Sequence, residues 1–563
     1  MRRHKKPLCS AALALASVVA LGACGGSSSS SSPSGGSGSG SSGGKSGGTV
    51  TLAMGTAPDS LDPGKGYTTQ AAEPDWLAYT GLVTYAHANG QAGGQVIPGL
   101  ATSLPKISNG GKTYTATLRK GLVFSDGKPV RASDFTYTIE RALKIPWGGS
   151  GQFVGATIVG AADYAKGSAK TISGIKTDNN TGKITINLVT AYGAFENVLA
   201  FPAMGIIPTG TPMKDQPNNP PPGVGPYKIT SIVPNASFSL VRNPEWSKMN
   251  IPGIPAGNVD VNVKISSNVD ANALGVLQNN IDVFDWADTI PGSLLPQINA
   301  QAKDRFQKKS DFNSTYYVFM NSKNKPFSSP LARQAVVTGL DQNAMNRLGS
   351  GTLIPGCFFL PPNMVGHPTG TCPYGDPKSG GDLTKAKQLV QQSGMAGTPV
   401  TVWSETRSPR QQWMTYYTQF LNSIGFKATQ KVIADATYFT TIGELKLHPQ
   451  TGFADWNQDF PNPIDFYLLV QGTAIQPTNN QNFGEVDDPK INNESNQLGQ
   501  VPTAQLNTAA SRWQALDQYT AQKAYVGVFG YQTFPAFTSN RVDQSYIFHP
   551  VYGFDWSSFK VKS

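Results

Sequence analysis

The sequence predicts an α/β fold, in which strands and helices alternate, for the part of the chain after residue 48. The main observation is a strand–helix–strand run: 400–403 is apolar, 411–424 carries large apolar side chains at helical spacing, and 426–432 alternates apolar and polar residues. Such a unit builds a parallel sheet through a right-handed crossover. Strand-like alternation at 113–118 and a helical pattern after Ser133 extend the mixture of elements to the first half.

In the first half, an Asn-Gly turn signal at 109–110 precedes the strand 113–118, whose alternate residues share one apolar face. Ser133 can cap the helix that follows, because a hydroxyl at this position accepts a hydrogen bond from a free backbone N–H. One apolar stripe identifies the buried face of that helix. Its residues are Phe135, Ile139, Ala142 and Leu143.

In the second half, Asp382 is expected to cap a helix over 383–393, and Gly394 to end it. Gly425 ends the helix 411–424 in the same way. The two strands on either side of this second helix should therefore be parallel neighbours.

Two loops in this half are candidate ligand sites. Ligands of parallel α/β sheets lie outside the carboxyl ends of the strands. The loop 404–410 follows the strand 400–403, and the loop 456–463 follows a further strand predicted over 451–455. The first loop carries charged side chains and the second carries aromatic and charged ones, so we expect a binding site at this edge.

Residues 1–24 have the pattern of an export signal: a basic start, then about 15 mostly apolar residues, too few to span a bilayer. The ending Leu21-Gly22-Ala23-Cys24 resembles the lipobox of bacterial lipoproteins, in which the cysteine is acylated. An ordinary signal peptide with an incidental Cys24 is the alternative. Residues 25–48 contain 12 Ser and 10 Gly, a composition typical of a disordered, flexible tether.

Charge and composition exclude several classes of protein. The chain has 563 residues, of which 14% are charged, and a net charge of +10. Removing residues 1–24 takes away four basic side chains and leaves +6. No stripe of Lys and Arg is present, so we expect no nucleic-acid partner. The low charge content also excludes a coiled coil.

Two cysteines remain in the folded part, Cys357 and Cys372, 15 positions apart in a Pro- and Gly-rich segment. A cysteine pair in an exported protein indicates a disulfide, which would stabilise the fold by about 3 kcal/mol. Two free thiols are the alternative.

The residue pattern does not favour an enzyme. No two of the five histidines lie three or four residues apart, so no helical zinc site is predicted, and we expect neither a metal nor a cofactor. A G-x-S-x-G motif at 44–48 lies in the tether, where nothing positions a base. Gly111-Lys112-Thr113 is similar to the end of a phosphate-binding loop, but Lys106 stands where the first glycine is needed.

Several blocks of residues together form a family signature. The strongest is 118–130, LRKGLVFSDGKPV. The other blocks are 61–63, 81–83, 98–101, 111–115, 134–135, 140–143, 225–228, 242–244, Asn321, 333–335, 385–387 and 425–426. In this order they closely resemble the solute-binding proteins of ATP-binding-cassette importers of the dipeptide, oligopeptide and nickel class. The resemblance covers about residues 49–563.

The resemblance implies a periplasmic-binding-protein-like fold (class II, cluster C), with two α/β lobes that close on a ligand like a clam shell. Lobe I is expected to be discontinuous, with residues 49–310 and 530–563 and an extra subdomain over about 95–200. Lobe II is expected over 311–529. The implied hinge strands are 316–321 and 526–531.

The resemblance also implies ligand-binding residues. In peptide-binding members, an Asp in a W-x-x-D segment pairs with the ammonium end of the ligand. The segment that begins at Trp456 has this spacing, so Asp459 is the expected ammonium partner; its alternative role is to cap the Pro-rich turn. Arg407 and Arg410 bind the ligand carboxylate or are solvated loop residues. Trp403 and Trp456 stack on the ligand or pack in the core.

We therefore expect a monomeric, lipid-anchored protein on the outer face of the cell membrane. It would capture a di- or oligopeptide by hinge closure, deliver it to the permease and ATPase of an importer, and catalyse no reaction. An oligosaccharide, a nickel complex or another solute is the alternative ligand. Asn462 replaces an acid that many members carry, which argues against a strongly cationic ligand. A surface hydrolase and a signalling or adhesion lipoprotein are the remaining hypotheses.

Overall fold

The computed structural model describes residues 47–311 and 313–562. The predicted signal peptide, the acylation of Cys24 and all but the last two residues of the predicted tether lie outside the described residues. The strands are β1 (Thr49–Met54), β2 (Val83–Tyr85), β3 (Val96–Pro98), β4 (Lys106–Ser108), β5 (Thr113–Thr117), β6 (Ile175–Asp178), β7 (Lys183–Asn187), β8 (Tyr227–Val233), β9 (Ser237–Arg242), β10 (Asp260–Ile265), β11 (Val283–Phe284), β12 (Phe306–Lys309), β13 (Ser314–Met320), β14 (Leu353–Ile354), β15 (Pro399–Glu405), β16 (Lys427–Ile433), β17 (Thr451–Asn457), β18 (Val526–Gln532), β19 (Phe534–Phe537), β20 (Phe548–His549) and β21 (Gly553–Phe554).

The helices are α1 (Thr69–Ala78), α2 (Gly90–Gly93), α3 (Ala132–Lys144), α4 (Ala161–Lys166), α5 (Phe195–Leu199), α6 (Trp246–Met249), α7 (Val269–Leu277), α8 (Leu295–Gln301), α9 (Pro330–Gly339), α10 (Gln342–Leu348), α11 (Leu383–Gln392), α12 (Arg410–Ile424), α13 (Tyr438–Ile442), α14 (Ile464–Tyr467), α15 (Pro489–Leu498) and α16 (Ala510–Gln522). None of these described helices combines the length and the apolar character needed to span a membrane.

Three larger sheets organise the described chain. A five-stranded sheet has the order β11-β1-β10-β9-β8, in which β1 is parallel to both of its neighbours. A six-stranded sheet has the order β14-β18-β13-β17-β15-β16, and a four-stranded antiparallel sheet has the order β4-β5-β7-β6. Three two-stranded sheets complete the strands. The mixture of sheets and helices agrees with the predicted α/β class.

The predicted strand–helix–strand unit is confirmed as β15–α12–β16, with β15 and β16 parallel over their full length. The large side chains of α12 form its buried face; Trp413, Tyr417 and Leu421 are at most 1% exposed. Gly425 ends the helix in the left-handed region at φ +113°, a conformation that glycine adopts without steric cost.

The helix predicted after Asp382 is also confirmed: α11 begins at Leu383, and the Asp382 carboxylate accepts the backbone N–H of Lys385 at 2.8 Å. The cap predicted for α3 is wrong. That helix begins at Ala132, so Ser133 lies within its first turn. The carboxylate of Asp134 accepts the N–H of Arg131 at 2.8 Å and stabilises the helix start instead.

The two strands expected as hinges are β13 and β18, which pair antiparallel in the middle of the six-stranded sheet. Every residue of both strands is buried. Their role as hinges, and the boundaries of the two lobes, remain predictions.

The predicted disulfide is present between Cys357 and Cys372. It closes a loop between β14 and α11, on the six-stranded sheet's side of the chain. A cavity of about 290 Å³ lies beside the disulfide, lined among others by Tyr374 and Lys385. This cavity does not border either of the two candidate loops.

Candidate functional site

The two candidate loops lie at one edge of the six-stranded sheet. Strands β15 and β17 are parallel neighbours, with Val402 opposite Thr451, so their carboxyl ends point the same way. Arg407 follows β15 and Asp459 follows β17. The sheet topology therefore brings together the two segments that were predicted to form the site.

Asp459 binds across the chain to Tyr67, whose hydroxyl donates to Asp459 Oδ2 at 2.6 Å although the residues are 392 positions apart. Tyr67 lies just before α1, on the five-stranded sheet's side of the chain. Burial raises the pKa of Asp459 to about 7, although the hydrogen bond from Tyr67 opposes this rise. No Lys or Arg of the described chain forms an ion pair with this carboxylate.

Asp465, on α14, is a second carboxylate beside Asp459. Asp459 is half-buried, whereas Asp465 has no exposed surface. Its Oδ2 accepts the backbone N–H of Asp459 at 2.8 Å and the indole N–H of Trp456 at 3.2 Å. Burial and the charge of Asp459 raise the pKa of Asp465 well above its usual range. The half-buried Trp456 thus orients a carboxylate.

Arg410 is buried and forms ion pairs with two acidic residues of the same chain. Its two terminal nitrogens donate to Glu405 Oε1 at 2.8 Å and to Asp455 Oδ2 at 2.7 Å, and its guanidinium lies 4.6 Å from the centre of the Phe453 ring. Burial raises the pKa of Glu405 to about 7, although the charge of Arg410 opposes this rise. The role of Arg410 in binding a ligand carboxylate remains a prediction, and the structure gives it three internal partners.

Arg407 lies against the opposite side of the site. Its guanidinium donates to the backbone carbonyl of Ala287 at 3.2 Å. Asp285 and Asp288 flank this carbonyl at the end of β11, where burial raises the pKa of Asp285 to about 8 and the charge of Arg407 opposes the rise. Arg407 therefore joins the loop after β15 to the edge of the five-stranded sheet.

Trp403 is 5% exposed and packs within the core, as its alternative role predicts. The ammonium group of Lys431 lies 3.9 Å from the centre of its ring, a cation–π contact. Its role as a ligand-stacking residue remains a prediction.

Three residues near Asp459 were not predicted from the sequence: Tyr67, Asp465 and Tyr192. Tyr67 packs against Trp147 with ring centres 5.7 Å apart. The hydroxyl of Tyr192 is buried without a hydrogen-bond partner, and its pKa is raised first by burial and then by the charges of Asp465 and Asp459. No local motif marks either tyrosine, whereas Asp465 could have been noticed as an acid six residues after Asp459.

The described residues contain no group of three or more His, Cys, Asp or Glu side chains arranged to hold a metal ion. The carboxylates of Asp459 and Asp465 suit the binding of a cation, because a buried charge needs an oppositely charged partner. Charge-assisted hydrogen bonds would then fix the cation in place.

The family model described as bacterial extracellular solute-binding proteins, family 5 (middle) matches residues 95–477. The chain belongs to this family. The family 5 protein is 24% identical over 518 residues to the probable D,D-dipeptide-binding periplasmic protein DdpA of Escherichia coli K12, which covers 89% of this chain and 92% of DdpA. It is 28% identical over 323 residues to the probable peptide ABC transporter periplasmic-binding protein y4tO of Sinorhizobium fredii, covering 53% of this chain and 55% of y4tO.

Among solved structures, the family 5 protein is similar to the clavulanic acid biosynthesis oligopeptide binding protein 2, with a TM-score of 0.82 and 22% identity. The match covers 92% of this chain and 96% of that one. The predicted two-lobe periplasmic-binding-protein fold is therefore confirmed.

Proposed function

We propose that this family 5 protein captures a peptide between its two lobes, outside the cytoplasm, and delivers it to an ATP-binding-cassette importer. The observation that carries the proposal is the half-buried Asp459 carboxylate, which has no cationic partner in the described chain. A peptide ammonium group would supply the missing positive charge and several N–H donors. The names of the two relatives, a dipeptide-binding and a peptide-transport protein, support a peptide as the ligand.

Capture by closure is supported by contacts that join distant segments around the site. The Gln458 side chain donates to the Pro550 carbonyl at 2.5 Å, and Arg407 donates to the Ala287 carbonyl. Together with the bond from Tyr67 to Asp459, these contacts connect the loops after β15 and β17 to segments of the predicted lobe I. A ligand that binds both sides would favour this closed arrangement over an open one.

A lipid on Cys24 would anchor the protein to the outer face of the cell membrane, and the tether 25–48 would let the lobes reach a permease. The energy for transport would come from the partner ATPase. The protein itself would make and break no covalent bond.

The first test is native mass spectrometry of residues 25–563, purified from the cells that produce it. A series of co-purifying peptide masses is the expected result. A single non-peptide mass would contradict the proposal.

The second test is Asp459→Asn, which keeps the shape of the side chain and removes its charge. We expect peptide affinity, measured by titration calorimetry, to fall at least tenfold, about 1.4 kcal/mol, because the ammonium loses its ionic partner. N-acetylated peptides should bind the wild type as weakly as free peptides bind the variant. Asp270→Asn, an exposed acid on α7, is the matched control. Equal affinities of wild type and Asp459→Asn would remove Asp459 from the site.

A further inference from the structure

The amino-end subsite around Asp459 contains two carboxylates, of which an ammonium group needs only one. Asp465 is fully buried beside Asp459, and its Oδ1 has no hydrogen-bond partner in the structure. Its Oδ2 is already used by Trp456 and by the backbone of Asp459. Asp465 therefore adds a second carboxyl group with unused acceptor capacity to the same site.

Other acidic residues near the site lie beside an arginine, whereas Asp459 and Asp465 do not within the described chain. Glu405 and Asp455 share the guanidinium of Arg410. Asp285 and Asp288 face Arg407, whose charge opposes the rise of their pKa values.

For the pair Asp459 and Asp465, the charged and titratable groups that face it are acids and tyrosines. Burial raises the pKa values of Tyr67, Tyr192 and Tyr85, and the charges of both acids raise them further. Asp59 lies near Tyr67 and has the same effect on it. Tyr552 responds to Asp459, and the adjacent His549 is neutral because burial lowers its pKa to about 3. In this part of the described chain, no cation compensates the pair.

Asn462 does not reduce this negative charge. Its side-chain carbonyl accepts the backbone N–H of Ile464 at 3.1 Å, so it caps the turn before α14. Asp465, three residues later, accepts the backbone N–H of Asp459 at 2.8 Å.

We propose that Asp465 makes the amino-end subsite doubly acidic, so that it selects peptides whose first residue carries a second positive charge, as Lys or Arg does. The inference rests on the proposed function. Such a peptide brings an α-ammonium group and a side-chain cation, one for each carboxylate. A peptide with an uncharged first side chain leaves one carboxylate buried without a cation, which costs binding energy or requires a bound proton.

The test compares two tripeptides of equal length, Lys-Ala-Ala and norleucine-Ala-Ala, by titration calorimetry at pH 7.5 on residues 25–563. The wild type should bind the lysine peptide at least tenfold more tightly. Asp465→Asn should reduce this ratio to within about twofold, whereas Asp465→Glu, which keeps the charge, should retain a preference. Asp270→Asn is again the control, and thermal unfolding checks that each variant is folded.

A pH series adds a readout that a purely structural role of Asp465 would not change. Binding of two cations displaces protons from the pair, so the preference for the lysine peptide should grow between pH 6 and 8 in the wild type and stay constant in Asp465→Asn.

The outcomes separate the two proposals. A wild-type ratio near one, or a ratio that Asp465→Asn leaves unchanged, overturns the inference about Asp465, even if Asp459→Asn abolishes binding. If neither peptide binds the wild type, or if Asp459→Asn has no effect on either peptide, the proposed function itself fails.

Discussion

Arg410 holds two acidic side chains inside the fold, because its guanidinium is the shared partner of Glu405 and Asp455. The sequence predicted Arg410 as the last residue of the loop after β15, whereas the structure has it as the first residue of α12, close to that sheet edge. The sequence could not show these partners, because Asp455 is 45 positions away and nothing in a local motif links the two residues. The same limitation applies to Tyr67 and Asp459, which meet only through the fold.

Replacing Arg410 by Ala should lower the free energy of unfolding by about 3 kcal/mol, because it leaves buried carboxylates without a cation. Urea unfolding of the ligand-free protein measures this change. Arg347→Ala is the control, since the Arg347 side chain is 71% exposed and lies 3.6 Å from Asp341. A loss below about 1 kcal/mol for Arg410→Ala would show that this network contributes little to stability.

Among the elements, those with long periodic patterns were predictable. The stripe of α12 and the glycine after it defined the helix and its end, and the alternation on both sides defined two strands. The start of α3 was predicted incorrectly because the residue before it, Arg131, is not a typical cap; the carboxylate of Asp134 stabilises the start from within the first turn. Short strands such as β11 and β14, of two residues each, carry too little pattern to be recognised.

Gly193 permits a close contact between two elements of different predicted lobes. Its N–H donates to the Gly499 carbonyl at 2.8 Å, and its carbonyl accepts the hydroxyl of Thr503 at 2.9 Å. A Cβ atom on Gly193 would lie 1.8 Å from the carbonyl oxygen of Val501, a backbone atom that cannot turn away. Any larger residue must therefore separate the two segments.

We expect Gly193→Ala to hinder closure without touching the Asp459 subsite. Small-angle scattering should show less compaction on peptide addition than in the wild type, and affinity should fall by about tenfold. Gly151→Ala is the matched control, because a Cβ there meets nothing within 4 Å. Normal compaction of Gly193→Ala would show that the contact between these segments is not part of closure.

On the scale of the whole molecule, several buried carboxyl groups make stability depend on pH. The pKa is raised to about 7 for Asp459 and Asp517, and to about 8 for Asp285. In this range the folded protein holds protons that the unfolded chain has released, so stability falls as pH rises. The buried His549 and the half-buried His367 have lowered pKa values, and their opposing contribution fades as the pH rises through the unfolded value of about 6.5.

The free energy of unfolding of the ligand-free protein should therefore decrease between pH 6.5 and pH 8. Asp459→Asn removes up to one titrating proton, so the slope of the unfolding free energy against pH should become less steep by up to about 1.4 kcal/mol per pH unit. Denaturant titrations at several pH values measure both slopes. Constant or rising stability across this range would show that these carboxyl groups are ionised in the folded protein.

The bond from Tyr67 to Asp459 also determines what a binding measurement on this protein means. The phenol of Tyr67 donates a hydrogen bond to this carboxylate, so a ligand ammonium group would have to replace that bond. The measured affinity is then the difference between two hydrogen bonds to one acceptor. A charged donor makes a bond about twice as strong as a neutral one, so an ammonium group displaces the phenol, whereas a neutral hydroxyl or amide gains little. Tyr67 would thus compete with the ligand for Asp459, and only ligands that bind this carboxylate more strongly than the phenol does would be retained.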